Sequence, residues 1–196
     1  KSSTISSNLD DGIAVRTGSY ANIRDSTTIS NNADDGIKVS EGSILEIENS
    51  TITGKAGEKA IVGYNNSTLT LTESSSGTTL ISTTNANAIY LINSFGEIRD
   101  GVTVTSDTTG IGLSMNSSLR IEEGATVNGS SNGGSIVGSV RSTINIETGS
   151  TISSPIWCGE AGTTMVRAGN QDPDNASNYI FNAGTTVGNT CIKIAR

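Results

Sequence analysis

Histidine is absent from this chain of 196 residues, and with it the commonest general base of enzymes. Aromatic residues make up 4% and hydrophobic residues 33%, too thin a supply for a conventional globular core. Basic residues number 12 against 19 acidic ones, and no basic run occurs. A nucleic-acid partner, which needs a cationic face for phosphates, is therefore not expected. No apolar run approaches the roughly 18–20 residues of a membrane-spanning helix, so membrane insertion is not expected either. No apolar stripe of helical period persists for ten residues, which argues against helix throughout. The two cysteines, Cys158 and Cys191, form neither a zinc set nor a disulfide framework. A single clip, which fits an extracellular setting, and two buried thiols are both compatible with them. No secretory leader precedes Lys1, as in a mature protein or in a piece cut from a longer one.

What the chain does have is a repeat. Residues 34–54, DDGIKVSEGSILEIENSTITG, contain three short alternating segments, each closed by a turn former. The same unit stands 24 residues earlier as DDGIAVRTGSYANIRDSTTIS and returns, degraded, downstream. Its leading isoleucines are Ile13, Ile37, Ile61, Ile89, Ile111 and Ile136, at spacings of 24, 24, 28, 22 and 25. A period in this range marks a stacked solenoid, in which each turn adds a few apolar residues to one continuous core. That periodicity weighs against disorder, the competing reading of so much Ser, Thr, Gly and Asn.

Each rung yields three strands by period-two alternation. First strands place Ile13/Val15, Ile37/Val39, Ile61/Gly63, Ile89/Leu91, Ile111/Leu113 and Ile136/Gly138 inward. Second strands follow Ser19, Ser43, Ser67, Ser94, Ser117 and Ser142, with inward pairs such as Leu45/Ile47, Gly96/Ile98 and Leu119/Ile121. The residue before that serine is Gly18, Gly42, Asn66, Asn93, Asn116 or Arg141. Five of these six take a left-handed backbone readily, which predicts a tight turn, with a different one at Arg141. Third strands end at Ile5, Ile29, Ile52, Leu80, Val104, Val127, Ile152 and Val187. Before each stands a threonine expected to point outward: Thr4, Thr28, Thr51, Thr79, Thr103, Thr126, Thr151 and Thr186.

The expected fold is all-β: a single domain over residues 1–196 forming a right-handed parallel β-helix. It has three strands per rung and about seven to eight rungs of 22–28 residues. Eight third strands imply a rod of about 35–40 Å. Near the C-terminal end Pro155–Cys158 and Thr190–Ile194 read as first strands, Thr163–Arg167 as a second strand, and 168–178, AGNQDPDNASN, as a surface-loop insertion. The chain opens within a rung and closes after a first strand, without caps. This raises the expectation that an end is covered by another copy or by residues beyond this sequence.

The steps GATV at 124–127 and GSTI at 149–152, with the TGS and EGS turns, resemble the passenger repeats of pertactin-like autotransporter adhesins. The DDGI elements at 10–13 and 34–37 resemble rungs of the wider right-handed β-helix superfamily, which includes polysaccharide lyases, epimerases and phage tailspikes. The resemblance covers about residues 1–153 and implies a β-helix fold. Its functional implication is a non-enzymatic adhesin or surface-fibre module at the cell surface or outside the cell. Its partners would be a host surface, a polysaccharide or copies of itself.

Three surface features are candidates for function. Asp11 and Asp35 stand one rung apart, with Lys59 above Asp35 and Arg16 and Lys38 nearby. In lyase-like relatives such stacked acids bind calcium, so these are weak calcium candidates and support a carbohydrate-active alternative; a solvated turn is the plainer reading. Val62, Tyr64, Tyr90 and Ile92 form an outward apolar patch on the first face, either a binding surface or a seat for a neighbouring loop. The outward threonines, with Ser6, Ser30, Thr53, Thr105 and Ser153 two residues on and Ile81, Asn128 and Gly188 as interruptions, suggest ice binding as a second alternative. No catalytic set and no obligatory cofactor is read from the chain. On the second strands, Arg24–Glu48, Glu97–Arg120 and Arg99–Glu122 are expected as cross-rung ion pairs worth a few tenths of a kcal/mol each.

Overall fold

The computed structural model describes residues 2–74, 77–147, 149–158, 164–168 and 191–195. The expected surface loop beyond Ala168, Thr186 and Val187 lie outside these. Among the described residues every regular element is a β-strand, and the strands stack into three parallel sheets, a β-solenoid of about six turns.

The first sheet stacks Ile13–Val15, Ile37–Val39, Ile61–Tyr64, Ile89–Ile92, Ile111–Ser114, Ile136–Gly138 and Ile156–Cys158. The second runs from Tyr20–Ile23 through Ile44–Glu48, Thr68–Thr72, Phe95–Ile98, Ser118–Ile121 and Thr143–Ile146 to Thr164–Ala168 and Cys191–Ala195. The third contains Thr4–Ser6, Thr28–Ser30, Thr51–Thr53, Leu80–Thr83, Thr103–Ser106, Thr126–Asn128 and Thr151–Ile152. Its seven strands make six steps of about 4.8 Å, or about 29 Å of rod.

Alternation puts Ile, Leu and Val on the axis. Leu45, Ile47, Leu119 and Ile121 are fully buried, in one core running from Val15 to Ile156. Large and small residues interleave there. Leu91 stacks on Gly63, and both Leu91 and Leu119 lean over Gly96. A Cβ on Gly96 would sit 2.6 Å from Leu91 Cδ1 and 3.5 Å from Leu119 Cδ1, so the glycine exists to admit the leucines.

The turn between first and second strands is tighter than expected. Two consecutive residues are left-handed at Thr17–Gly18, Glu41–Gly42, Asn65–Asn66, Met115–Asn116 and Val140–Arg141, with Asn93 alone in its rung. Arg141 therefore makes the same turn as its neighbours, not a different one: stacking on the rung below imposes a backbone that its own propensity disfavours. The serine after the turn is buried from Ser43 onward and knits adjacent rungs, as in Ser67 Oγ donating to Ser94 Oγ at 3.0 Å.

One third strand departs from the expected frame. Leu80, not Thr79, pairs with Thr51 and Thr103, and Ile81 takes the inward place beside Ile52 and Val104. Thr79 is fully buried, its hydroxyl donating to the carbonyl of Thr72 at 2.6 Å. The cause is a longer corner. Ile47 to Ile52 spans 5 residues, and Leu71 to Ile81 spans 10. The corner is seated on Asn49, whose Oδ1 accepts from the Ser74 amide at 3.0 Å.

Candidate functional site

The acidic corner lies where the third strands turn into the first. Its backbone is close-packed: a Cβ on Gly36 would meet the Ala60 carbonyl oxygen at 2.5 Å, which accounts for the glycine of DDGI. With Gly36 drawn inward, the preceding acids stack. The Asp34 amide donates to the Asp10 carbonyl at 3.5 Å, and Asp10, Asp11 and Asp34 bring carboxylate oxygens within 4.8 Å of one another. Asp34, Asp35 and Glu58 form a second such trio.

The two buried acids differ in their partners. The Asp11 side chain is 4% exposed, with Oδ2 3.9 Å from both Arg16 Nη2 and Lys38 Nζ, and Oδ1 lacks a hydrogen-bond partner. Asp35, equally buried, has Lys59 Nζ 3.6 Å away, and its Oδ1 accepts from the Lys59 amide at 3.3 Å. Burial pushes both carboxyls above the usual range. Lys38 opposes this at Asp11 and Lys59 at Asp35, and the neighbouring acids add to it. Lys38 also sits 5.9 Å above the Tyr64 ring, a cation–π contact at the same corner. Burial, then Asp35, raises the Tyr64 hydroxyl above its ordinary value.

The apolar patch is only partly as expected. Tyr90 pairs with Val62 and Ile92 with Tyr64, and Tyr64, Tyr90 and Ile92 are half-buried. Val62 is fully buried, so it is no part of an exposed surface. Its partners in register on the adjacent rungs are Lys38 and Tyr90. The stripe also continues where sequence reading did not follow it. The Tyr90 ring lies over Gly112, where a Cβ would stand 2.7 Å from its Cδ2, and beyond it come Val137 and Trp157, the latter 38% exposed. Alternation from the buried Ile156 was the signal that could have placed Trp157 outward.

No family model, curated protein or solved structure matches the chain. The resemblance to adhesin passengers therefore rests on the repeat residues themselves.

The third face is a neutral ladder. Thr4, Thr28, Thr51, Leu80, Thr103, Thr126 and Thr151 form its first rank. Ser6, Ser30, Thr53, Ser82, Thr105 and Asn128 form the second. Leu80 thus interrupts the first rank, while Ser82, not Ile81, continues the second. The second face is charged. Arg120 reaches Glu147 at 2.6 Å, Glu97 at 3.3 Å and Glu122 at 3.6 Å, and Arg99 reaches Glu97 at 2.7 Å. Of the expected pairs Glu97–Arg120 forms. Arg99 instead turns along its own strand, where Glu97 is two residues away, and Arg24 donates to Asn22 at 3.0 Å rather than bridging to Glu48. Exposed Tyr20, Ile44 and Phe95 line this face as well.

Cys158 ends the last first strand and is disulfide-bonded; the chain's other cysteine is Cys191. Cys191 does not open a first strand as expected. Cys191–Ala195 joins the second sheet beside Thr164–Ala168, with Cys191 opposite Thr164. Its alternation fits either sheet, and the pairing with Thr164–Ala168 decides between them. Alkylation under denaturing, non-reducing conditions followed by mass spectrometry is expected to find no free thiol; two labelled cysteines would contradict the bond.

Proposed function

We propose that the chain is a non-enzymatic binding rod, an extracellular or cell-surface module of an adhesin or surface fibre, of the pertactin-like autotransporter passenger type. The observation that carries this reading is the in-register stacking: each outward position recurs rung after rung. One rod therefore presents a neutral hydroxyl face, a face with an aromatic stripe, and a charged face. Repetition of this kind suits avid attachment to an extended partner, a host surface, a polysaccharide or further copies of the rod. A disulfide at Cys158 supports an oxidising compartment.

The test is surface binding. The immobilised chain is offered host matrix proteins, a polysaccharide panel and a second copy of itself. Saturable binding to one class is expected, and Tyr90→Ser with Trp157→Ser should weaken it about tenfold, the loss typical of an aromatic anchor. Turnover of a polysaccharide, or no saturable binding to any class, would overturn the reading.

A second reading, ice binding, gains from the register of the third sheet. With Ser82 rather than Ile81 in the second rank, hydroxyls run unbroken there from Ser6 to Thr105, on a face whose ladder positions carry no charge. Thermal hysteresis measured on the chain decides it, and unshaped ice crystals reject it.

A further inference from the structure

We propose that Asn132 is a site of spontaneous self-modification: the Gly133 amide attacks its side chain, and the isoaspartate that results unseats Trp157. Asn132 and Gly133 lie in the turn that joins the third strand Thr126–Asn128 to the first strand Ile136–Gly138. An asparagine closes onto the next backbone nitrogen most readily when glycine follows, because glycine has no side chain to crowd the forming ring. The chain has two Asn-Gly steps, at 128–129 and 132–133, and the fold separates them. Asn128 is half-buried at the end of a strand, in register with Thr105, and extended backbone turns the next nitrogen away from the side chain. Asn132 is exposed in the turn. That turn is fastened at its base, where the Ser130 amide donates to the Thr108 carbonyl at 2.7 Å and the Gly134 amide to the Ser130 carbonyl at 2.7 Å. Between these anchors the exposed peptide is free to rotate into the closing geometry.

The reaction balances with water alone. The Gly133 nitrogen bonds to Asn132 Cγ and gives up its proton through solvent. The side-chain nitrogen takes up a proton and leaves as ammonia. The cyclic succinimide then adds one water. Opening at one carbonyl gives aspartate; opening at the other gives isoaspartate, whose main chain runs through the former side chain and is one carbon longer. Either product adds a negative charge. Ser130 sets the rate: its Oγ accepts the Gly133 N–H at 2.7 Å, so the attacking nitrogen is held until that bond opens.

The same turn seats the Trp157 indole. A Cβ on Gly134 would stand 3.0 Å from Trp157 Nε1 and closer still to Cδ1, so the ring lies directly against this glycine. The contacts around it are tight. Thr109 Oγ1 donates to the Gly133 carbonyl at 2.8 Å, the Gly110 amide to the Gly134 carbonyl at 3.3 Å, and the Ser135 amide to the Pro155 carbonyl at 2.9 Å. An extra backbone carbon two residues before Gly134 displaces these groups, because close-packed contacts do not stretch to absorb it. The indole then loses its seat, at the C-terminal end of the aromatic stripe. The reaction does not depend on what the rod binds.

The experiment ages the folded chain in warm, mildly alkaline buffer and maps its peptides by mass spectrometry after digestion in acid, which stops the reaction. Asn132 is expected to gain one mass unit, as isoaspartate, ahead of Asn128. Trp157 is the chain's single tryptophan, so its fluorescence reads the seat directly. Its emission should shift to the red in step with conversion. Ser130→Ala should convert faster. Asn132→Gln, whose longer side chain closes far more slowly, should keep both mass and emission, and freshly prepared Asn132→Asp, which adds the charge without the extra carbon, should keep the emission. Conversion of Asn128 as fast as Asn132 would overturn the proposal, as would an intact Asn132 in folded chain when the urea-unfolded chain has converted. Unchanged emission in fully converted protein, or an equal red shift in Asn132→Asp, would overturn the link from backbone lengthening to Trp157.

Discussion

Truncating Leu119 to alanine should cost roughly 2–5 kcal/mol of unfolding free energy, and the packing argues for the upper half of that range. The size of such a loss depends on how far the surroundings collapse into the space left behind. Leu119 is fully buried and stacks between Gly96 on one rung and Ile144 on the next. Gly96 has no side chain to move, and its backbone is held in the sheet on both sides. Only Leu91, already packed over Gly96, borders the cavity on that side. Denaturant unfolding of the two proteins measures the difference. A loss under half a kcal/mol would mean that Leu119 does not face the axis. Leu45→Ala makes a useful companion: Leu45 stacks between Ala21 and Leu69, so a flexible leucine can lean into the space and the loss should be smaller.

Much of this architecture is legible in the sequence because two of the three strands in each rung have clean alternation bounded by strong turn formers. From Ile13 to Ile136 the first-strand register follows the leading isoleucines, and from Ala21 to Ile144 the second follows the residues after the serine. A one-residue slip would turn each core residue outward, so the pattern has little freedom. At the acidic corner, the vertical pairing of Asp35 with Lys59 follows from the period alone. What the period does not carry is side-chain direction. Arg99 and Arg24 could reach across a rung or along their own strand, and the nearer partner two residues away wins. The burial of Val62 is hidden for the same reason: it depends on how neighbouring side chains lie, which spacing does not carry. The orphan oxygen of Asp11 is likewise a matter of tenths of an ångström, below what spacing resolves.

The third strand of the rung led by Ile61 shows where pattern reading runs out, and it yields the second large effect. Gly77-Thr78-Thr79-Leu80 matches the step Gly-x-Thr-[Ile/Val] of other rungs so well that Leu80 reads as the core residue. Leu80 and Ile81 are adjacent apolar residues, so period two fits with either one inward. The lengthened corner settles the phase. It adds 5 residues between Leu71 and Ile81 relative to Ile47 and Ile52, and the next corner gives back 1, from 9 residues between Ile52 and Ile61 to 8 between Ile81 and Ile89. The net gain of 4 is the difference between the 28-residue spacing here and the 24 before it. Ile81 is fully buried and Leu80 half-buried, so their substitutions should diverge. Ile81→Ala should cost roughly 2–5 kcal/mol, as for any buried isoleucine truncated between well-packed neighbours, here Ile52 and Val104. Leu80→Thr should cost less than about 1 kcal/mol. It gives up half-buried methyl groups but gains a β-branched residue in a strand, opposite Thr51 and Thr103. Denaturant melts of the two variants measure both. A larger loss for Leu80→Thr than for Ile81→Ala would restore the frame in which Thr79 faces outward.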